Sequence, residues 1–196
     1  MPHLSGVFEQ FPNLDKVSSL NLSAWLHIQV DKHNLANILG NRIIYPQTVA
    51  LTKSDLEIDL AILREALKQR PALVYEPQTN KIYIPELFLQ RFPPLTRLAG
   101  VIIEAINPKG VIQIYLKDKT QVKLLGSLIS PPNVSKLVKD KGKIKIVVMG
   151  VEGTLSPNTL SISRIVAPQI KMKIENTSYS VPGGELGVVI DLRVKS

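Results

Sequence analysis

The sequence predicts an α+β protein in which a small helical and hairpin module precedes a mainly-β barrel and a C-terminal β-hairpin. Leucines recur at helical spacing over residues 54–70, the pattern of a long helix with one apolar stripe. Short segments in the second half alternate apolar and polar residues, as strands with one buried face do. Pro93 and Pro94 separate the halves, because proline neither continues a helix nor donates to a sheet. We therefore expect a module over residues 1–92, a barrel over 93–168 and a hairpin over 169–196.

Composition limits the classes of protein to which the chain can belong. Its 196 residues are 44% apolar but only 5% aromatic, so we expect an ordinary core built mainly from Ile, Leu and Val. The absence of cysteine excludes disulfides, thiolate metal sites and a cysteine nucleophile. The first residues lack the pattern of a secretory signal, and no apolar run approaches the ~20 residues that span a bilayer. We expect a cytoplasmic protein with no membrane partner.

The net positive charge of the chain lies entirely in its second half. Residues 1–92 carry nine Lys and Arg against nine Asp and Glu, whereas residues 93–196 carry 15 against 7, so the whole net charge of +8 lies there. Such an asymmetry favours a polyanionic partner for that half alone. A lysine-rich surface that maintains solubility explains the same count.

In the N-terminal module, two helices have recognisable start signals. After loop-like residues 1–22 and a strand over 24–30, Asp31 is expected to cap a short helix that Gly40 stops. The leucine-rich helix follows, with Ser54 and Glu57 in the spacing of a capping box and Pro71 at its end.

Residues 72–85 predict a hairpin, because residues 77–80 have turn chemistry between two apolar segments. Helices followed by a hairpin are typical of winged-helix DNA readers. The leucine-rich helix, however, carries a balance of acids and bases that suits a phosphate-contacting helix poorly. A packing or protein-docking module is the alternative for this region.

The barrel prediction depends on the order of its elements. Strands are expected over residues 101–107, 111–117 and 121–124, then a short helix over 133–139 and strands over 143–149 and 159–166. Gly150 and Gly153 have the positions of barrel corners. Three strands, a helix and two strands resemble the OB-fold over residues 97–168, a small barrel that many single-stranded nucleic-acid binders use. An SH3-like barrel, or an open sheet with a helix on one face, are the alternatives.

The OB-fold resemblance implies a binding face on the outward side of the second and third strands. The implied nucleic-acid-binding residues are Gln113, Tyr115, Lys117, Lys119, Gln121 and Lys123, extended by Lys143, Lys145 and Arg164. Alternation directs Val122 and Leu124 inward and Lys123 outward, beside Tyr115 and Lys117. With a single ring in the barrel, we expect contacts to the phosphate backbone more than stacking on bases. Outward lysines that keep sheet edges from aggregating are the alternative explanation.

The last part of the chain predicts more strands. Residues 170–174 alternate, a turn follows near Asn176, and residues 179–196 predict a hairpin around Pro182 and Gly183. That hairpin is expected to close the sheet or to pair with the edge of a partner.

Catalytic and metal-binding motifs are absent from the sequence. His27, Asp31 and His33 match no recognised metal spacing, no serine lies in a nucleophile elbow, and the Gly183-Gly184 pair precedes a strand instead of a helix. The sequence therefore predicts a non-enzymatic accessory protein that binds single-stranded DNA or RNA, with no cofactor and no metal. The alternative is a structural or adaptor subunit, with a protein partner or as a homo-oligomer.

Overall fold

A computed structural model describes residues 22, 25–26, 30–45, 50–140 and 142–194 of the chain. Apart from Leu22, the expected loop over residues 1–22 lies outside these residues, as does most of the expected strand over 24–30. The chain forms two compact units, the first from Met1–Leu73 and Glu86–Ile106, the second from Val74–Pro85 and Asn107–Ser196. The hairpin that the sequence grouped with the N-terminal module thus belongs with the later strands.

The first unit is helical. Within its described residues, the helices are α1 (Lys32–Ile44), α2 (Lys53–Gln69), α3 (Glu86–Arg91) and α4 (Leu95–Ile106), with a 3-10 turn (Pro71–Leu73) after α2. Asp31 caps α1 as predicted, since its carboxylate accepts a hydrogen bond of 3.3 Å from the amide of Asn34. The predicted stop at Gly40 is wrong, because α1 continues through it to Ile44.

The capping box of α2 lies two residues before the predicted one. Thr52 and Asp55 form it: the amide of Asp55 donates to the hydroxyl of Thr52, and the amide of Thr52 donates to the carboxylate of Asp55, each over 3.1 Å. Ser54 lies inside the first turn, so the assignment to Ser54 and Glu57 is wrong. The helix ends at Gln69, shortly before Pro71, as expected.

Residues 101–106, predicted as the first barrel strand, belong instead to helix α4. Leu98, Ile102 and Ala105 are buried at helical spacing. Two ion pairs, Glu57 with Arg97 and Arg64 with Glu104, join α2 to α4. Both pairs span 40 residues, so the two helices run parallel. Packing along an amphipathic face outweighs the strand preference of Val and Ile here.

The described residues of the second unit form ten strands and one helix. The strands are β1 (Tyr75–Glu76), β2 (Lys81–Pro85), β3 (Gly110–Lys117), β4 (Val122–Ser130), β5 (Ile144–Val148), β6 (Val151–Leu155), β7 (Leu160–Ser163), β8 (Gln169–Ile174), β9 (Thr177–Pro182) and β10 (Gly187–Asp191). Helix α5 (Val134–Asp140) lies between β4 and β5, where the sequence placed a helix. The strands form a six-stranded sheet, β1-β2-β3-β4-β10-β7, and a four-stranded sheet, β6-β5-β8-β9.

The two sheets are open and pack face to face. One apolar cluster joins Ile129, Val188 and Ile190 of the six-stranded sheet to residues of the four-stranded sheet that include Ile144 and Ile170. No closed barrel forms among the described residues, and the expected barrel strands are divided between both sheets. The OB-like architecture is therefore not observed, although the strand alternation in β3 and β5 is as predicted.

The predicted C-terminal hairpin is wrong, because β9 and β10 belong to different sheets. Strand β9 pairs instead with β8, around the turn expected near Asn176. Strand β10 lies inside the six-stranded sheet, parallel to β4 and antiparallel to β7. The β1–β2 hairpin is confirmed, and β2 also pairs in parallel with β3, so this hairpin is not a free wing. Among the described helices, none has both the length and the hydrophobicity required to cross a membrane.

Candidate nucleic-acid interface

Strands β2 and β3 present a row of aromatic and basic side chains on one face of the six-stranded sheet. Parallel pairing places Lys81 opposite Gln113, Tyr83 opposite Tyr115, and Pro85 opposite Lys117. Because side chains alternate along a strand, all of these lie on the same face. We call the five residues Lys81, Tyr83, Gln113, Tyr115 and Lys117 the tyrosine–lysine surface.

Burial of the opposite face holds this surface outward. Ile82 and Ile84 of β2, and Ile112 and Ile114 of β3, are at most 1% exposed. A shift of one residue in register would move these isoleucines into solvent, so the outward position of the tyrosines is strongly determined.

The two tyrosine rings are stacked on each other. Their centroids are 5.5 Å apart and their planes differ by 24°. The hydroxyl of Tyr115 donates a hydrogen bond of 2.7 Å to the side-chain oxygen of Gln113, which orients that ring. Both tyrosines and Gln113 are half-buried, so part of each side chain remains in contact with solvent. A stacked, partly exposed aromatic pair offers a surface for a further planar group.

Each ring also has a lysine nearby. The ammonium of Lys81 is 5.7 Å from the centroid of Tyr115, and that of Lys117 is 5.6 Å from the centroid of Tyr83. These distances are close to the limit of about 6 Å for a cation–π contact, so each contact is weak. Breaking either contact costs little, so neither ring holds its ammonium firmly in place. At the margin, Glu76 lies opposite Lys81 and accepts a hydrogen bond from Thr79.

The third strand of this face departs from the predicted alternation. A bulge in β4 follows the pair of Ile114 with Gly126, so that Tyr115 lies opposite Leu124 and Lys117 opposite Val122. Lys123 lies opposite Leu116 and hence on the other face of the sheet. It pairs with Glu185 over 3.1 Å. The prediction that Lys123 stands beside Tyr115, with Val122 and Leu124 inward, is wrong.

The structure thus brings together only some of the nine predicted site residues. Gln113, Tyr115 and Lys117 share one surface, and Lys119 and Gln121 are exposed in the turn that directly follows it. The other four lie elsewhere. Lys123 lies on the opposite face of the sheet, and Arg164 follows β7. Lys143 directly precedes β5 of the other sheet, and Lys145 lies within that strand.

Tyr83 and Lys81 were missed as site residues. The alternation in residues 81–85 was visible in the sequence, but nothing local indicates that β2 pairs with β3. Helices α3 and α4 lie between β2 and β3 in the chain. The parallel pairing of the two strands supplies the second aromatic ring that the barrel interpretation lacked.

A second basic surface covers the outer face of the four-stranded sheet. Lys145 of β5 and Lys171 and Lys173 of β8 are exposed there, around the side chain of Val147. An open groove of about 450 Å³ runs along the β8–β9 side of this surface. Within the part of the chain that the structure describes, these three lysines form no ion pair. The charge of these lysines suits a phosphate backbone, and Tyr179 also lines the groove.

The charge asymmetry between the two halves of the sequence is equally an asymmetry between the two units. The second unit contains 15 Lys and Arg against 7 Asp and Glu, a net charge of +8, and the first unit is neutral. Both basic surfaces lie in the second unit. The net positive charge that would attract a polyanion therefore lies in that unit alone.

The first unit buries a charged cluster that has a structural role. Asp59 accepts from Nε of Arg42 over 2.8 Å and lies 3.4 Å from Nη2 of Arg91, and both Asp59 and Arg91 are almost fully buried. Burial raises the pKa of the Asp59 carboxyl, while the two arginines oppose that rise. A raised pKa can mark a catalytic acid. The Asp59 carboxylate, however, is fully buried and pairs with the guanidinium groups of Arg42 and Arg91. Among the described residues, no group of three or more His, Asp or Glu could hold a metal ion.

Comparison with known proteins adds no relative. No protein-family model matches the chain, and neither the curated proteins nor the solved structures contain a significant match. The two surfaces of the second unit are therefore the basis for any assignment of function.

Proposed function

We propose that this protein is a non-enzymatic accessory protein that binds single-stranded DNA or RNA through the tyrosine–lysine surface. The observation that carries the proposal is the stacked pair of Tyr83 and Tyr115, with Lys81 and Lys117 beside the two rings. Part of the same proposal is a cytoplasmic location, where single-stranded RNA is available.

In this proposal, bases stack against the exposed parts of the two rings while the lysines neutralise the neighbouring phosphates. A base stacked on an aromatic side chain is worth about 1–3 kcal/mol, and stacking accepts any base. Phosphate contacts add a sequence-independent contribution that falls as the salt concentration rises. Lys119, in the following turn, extends the basic path. We therefore expect binding with little sequence preference.

An alternative explanation is that the tyrosines only stabilise the sheet. Cross-strand aromatic pairs contribute to sheet stability, and lysines beside them are often simply solvated. Binding measurements distinguish the two explanations, because a purely structural pair has no effect on affinity for an oligonucleotide once folding is preserved.

The test is fluorescence anisotropy of the full chain with labelled single-stranded oligo(dT) and oligo(rU) at low and moderate salt. Tyr83→Leu and Tyr115→Leu keep an apolar group on the sheet but remove the ring, and each is expected to weaken binding at least about fivefold. Lys81→Glu and Lys117→Glu are expected to weaken it and to reduce the salt dependence. Lys109→Glu and Lys136→Glu, exposed positions of the same unit away from the surface, are the charge-matched controls.

Salt-independent or undetectable binding of the unmodified protein would contradict the proposal. So would equal losses in the controls and in the surface variants, which would indicate diffuse charge attraction. The structural or adaptor role remains the second candidate, and the specific observation that favours it is a free sheet edge in the second unit. A pull-down with and without nuclease separates protein partners from partners held through nucleic acid.

A further inference from the structure

Strand β6 forms a free edge of the four-stranded sheet. It pairs with β5 on one side, and no described residue pairs with its other side. Val151, at its start, is 72% exposed although its pairing with Val148 places it on the apolar side of the sheet. The edge therefore combines unpaired backbone groups with an exposed apolar side chain.

The hydrogen bonds around β5 show which groups of β6 are unpaired. Met149 donates from its amide to Lys171, and Lys145 accepts at its carbonyl from Glu175, so the odd-numbered residues of β5 bond to β8. The even-numbered residues then bond to β6, and Val148 faces Val151 across the two-residue turn. Consequently the amides and carbonyls of Glu152 and Thr154 point away from the sheet, along its free edge.

This edge lacks two common features that protect edge strands against pairing. Natural edge strands are often blocked by proline or by lysine. The opposite edge strand, β9, ends in Pro182, whereas β6 contains neither a proline nor a lysine and has Gly153 at its centre.

We propose that β6 pairs with β6 of a second copy of this chain, antiparallel and centred on Gly153. In that register Glu152 lies opposite Thr154 of the second copy. The amide and carbonyl of each of these residues can then hydrogen-bond to the carbonyl and amide of the other across the interface. Gly153 then faces its own copy in a close, non-hydrogen-bonded pair, where Cα atoms approach to about 4.5 Å and a small residue fits.

The side chains are self-complementary in the same register. Val151 of one copy lies opposite Leu155 of the other, which covers its exposed surface. On the outer face, Thr154 is paired with Lys145 in each copy. Glu152 of one copy is thus separated from Lys145 of the other by the short side chain of Thr154, within reach of an ion pair. Apolar groups meet apolar groups and acids meet bases, as a two-fold symmetric interface requires.

The experiment is sedimentation velocity of the full chain over a range of protein concentrations. We expect the mass to rise toward that of a dimer. Thr154→Pro removes an amide that makes no bond within the sheet, so the variant should keep its circular dichroism spectrum and remain monomeric. Ser178→Pro is the matched control, because its amide faces the other free edge, and this variant should dimerise normally.

A charge exchange gives a second, independent readout. Glu152→Lys places like charges across the interface and should weaken dimerisation about fivefold, and adding Lys145→Glu should restore it. A protein that is monomeric at every concentration would refute the proposal, as would a folded Thr154→Pro variant that dimerises unchanged. If that variant fails to fold, the charge exchange decides, and absence of restoration counts against the proposed register. Nucleic-acid binding by a monomeric protein would leave the proposed function standing.

Discussion

Tyr83 and Tyr115 lie directly opposite each other on the parallel strands β2 and β3, with their rings stacked. They are separated by 31 intervening residues that include two helices of the other unit. The pair therefore exists only when the β1–β2 hairpin joins the sheet, which ties the candidate interface to the complete fold of the second unit.

The stacked pair should be measurable as an energetic coupling. We expect a double-mutant cycle of Tyr83→Ala and Tyr115→Ala, followed by urea denaturation, to give a coupling of about 0.5–1.5 kcal/mol. Tyr115→Phe removes only the hydroxyl that bonds Gln113, so its coupling with Tyr83→Ala should stay close to zero. Additive effects of the two alanine substitutions would show that the ring contact contributes nothing to stability.

The buried cluster of the first unit should be sensitive to loss of its carboxylate. Asp59→Ala leaves the buried guanidinium of Arg91 without this partner, and we expect unfolding free energy to fall by about 3–5 kcal/mol. Glu57→Gln breaks a partly exposed pair with Arg97 and should cost less than about 1 kcal/mol. Chemical denaturation of both variants makes the comparison, and similar losses would contradict it.

The capping box of α2 allows a test of position. Thr52→Ala should lower the unfolding free energy by about 1 kcal/mol, while Ser54→Ala should have almost no effect. The pKa of Asp55 is lowered chiefly by its hydrogen bond with the Thr52 side chain. The resulting stabilisation is present above the ordinary pKa of 3.8 and is lost as the pH falls through the lowered value. The difference between wild type and Thr52→Ala should therefore narrow below about pH 3.8. A larger effect of Ser54→Ala would restore the assignment made from sequence.

Two glycines should respond in opposite directions to alanine. Gly187 has a φ of +73°, and an added Cβ would overlap the carbonyl oxygen of Ser163 on the neighbouring strand. We expect Gly187→Ala to destabilise the protein by at least about 1–3 kcal/mol. Gly40 lies inside α1 with open space around it, so Gly40→Ala should stabilise by about 0.5–1 kcal/mol. Thermal unfolding of both variants measures the two shifts.

Local patterns in the sequence predicted much of the secondary structure. The alternation of β3, β5 and β8, the helix α2 and the β1–β2 hairpin all follow from spacing and turn chemistry. Residues 101–106 were assigned wrongly because Val and Ile favour strands locally, whereas the buried stripe of α4 is satisfied by packing on α2. The capping box was displaced because Thr52 and Ser54 both have suitable spacing to an acid.

The tertiary arrangement could not be predicted in the same way. Whether two alternating segments share a sheet depends on long-range pairing, and neither the parallel β2–β3 contact nor the insertion of β10 between β4 and β7 has a local signal. The candidate site shows the same limit. Gln113, Tyr115 and Lys117 were placed on one face by alternation alone, but the bulge in β4 moved Lys123 to the other face.

The interrupted course of the second unit has a practical consequence for work on its parts. A fragment that starts at residue 107 would lack β1 and β2, so the backbone of β3 would lose the partner that covers one side of it. It would also lose one of the two rings of the candidate interface. If such a fragment failed to bind nucleic acid, the cause would be its incomplete sheet, in which β3 is an exposed edge strand that can pair with other chains. A fragment that keeps the second unit whole should therefore begin no later than residue 74, and it necessarily includes helices α3 and α4.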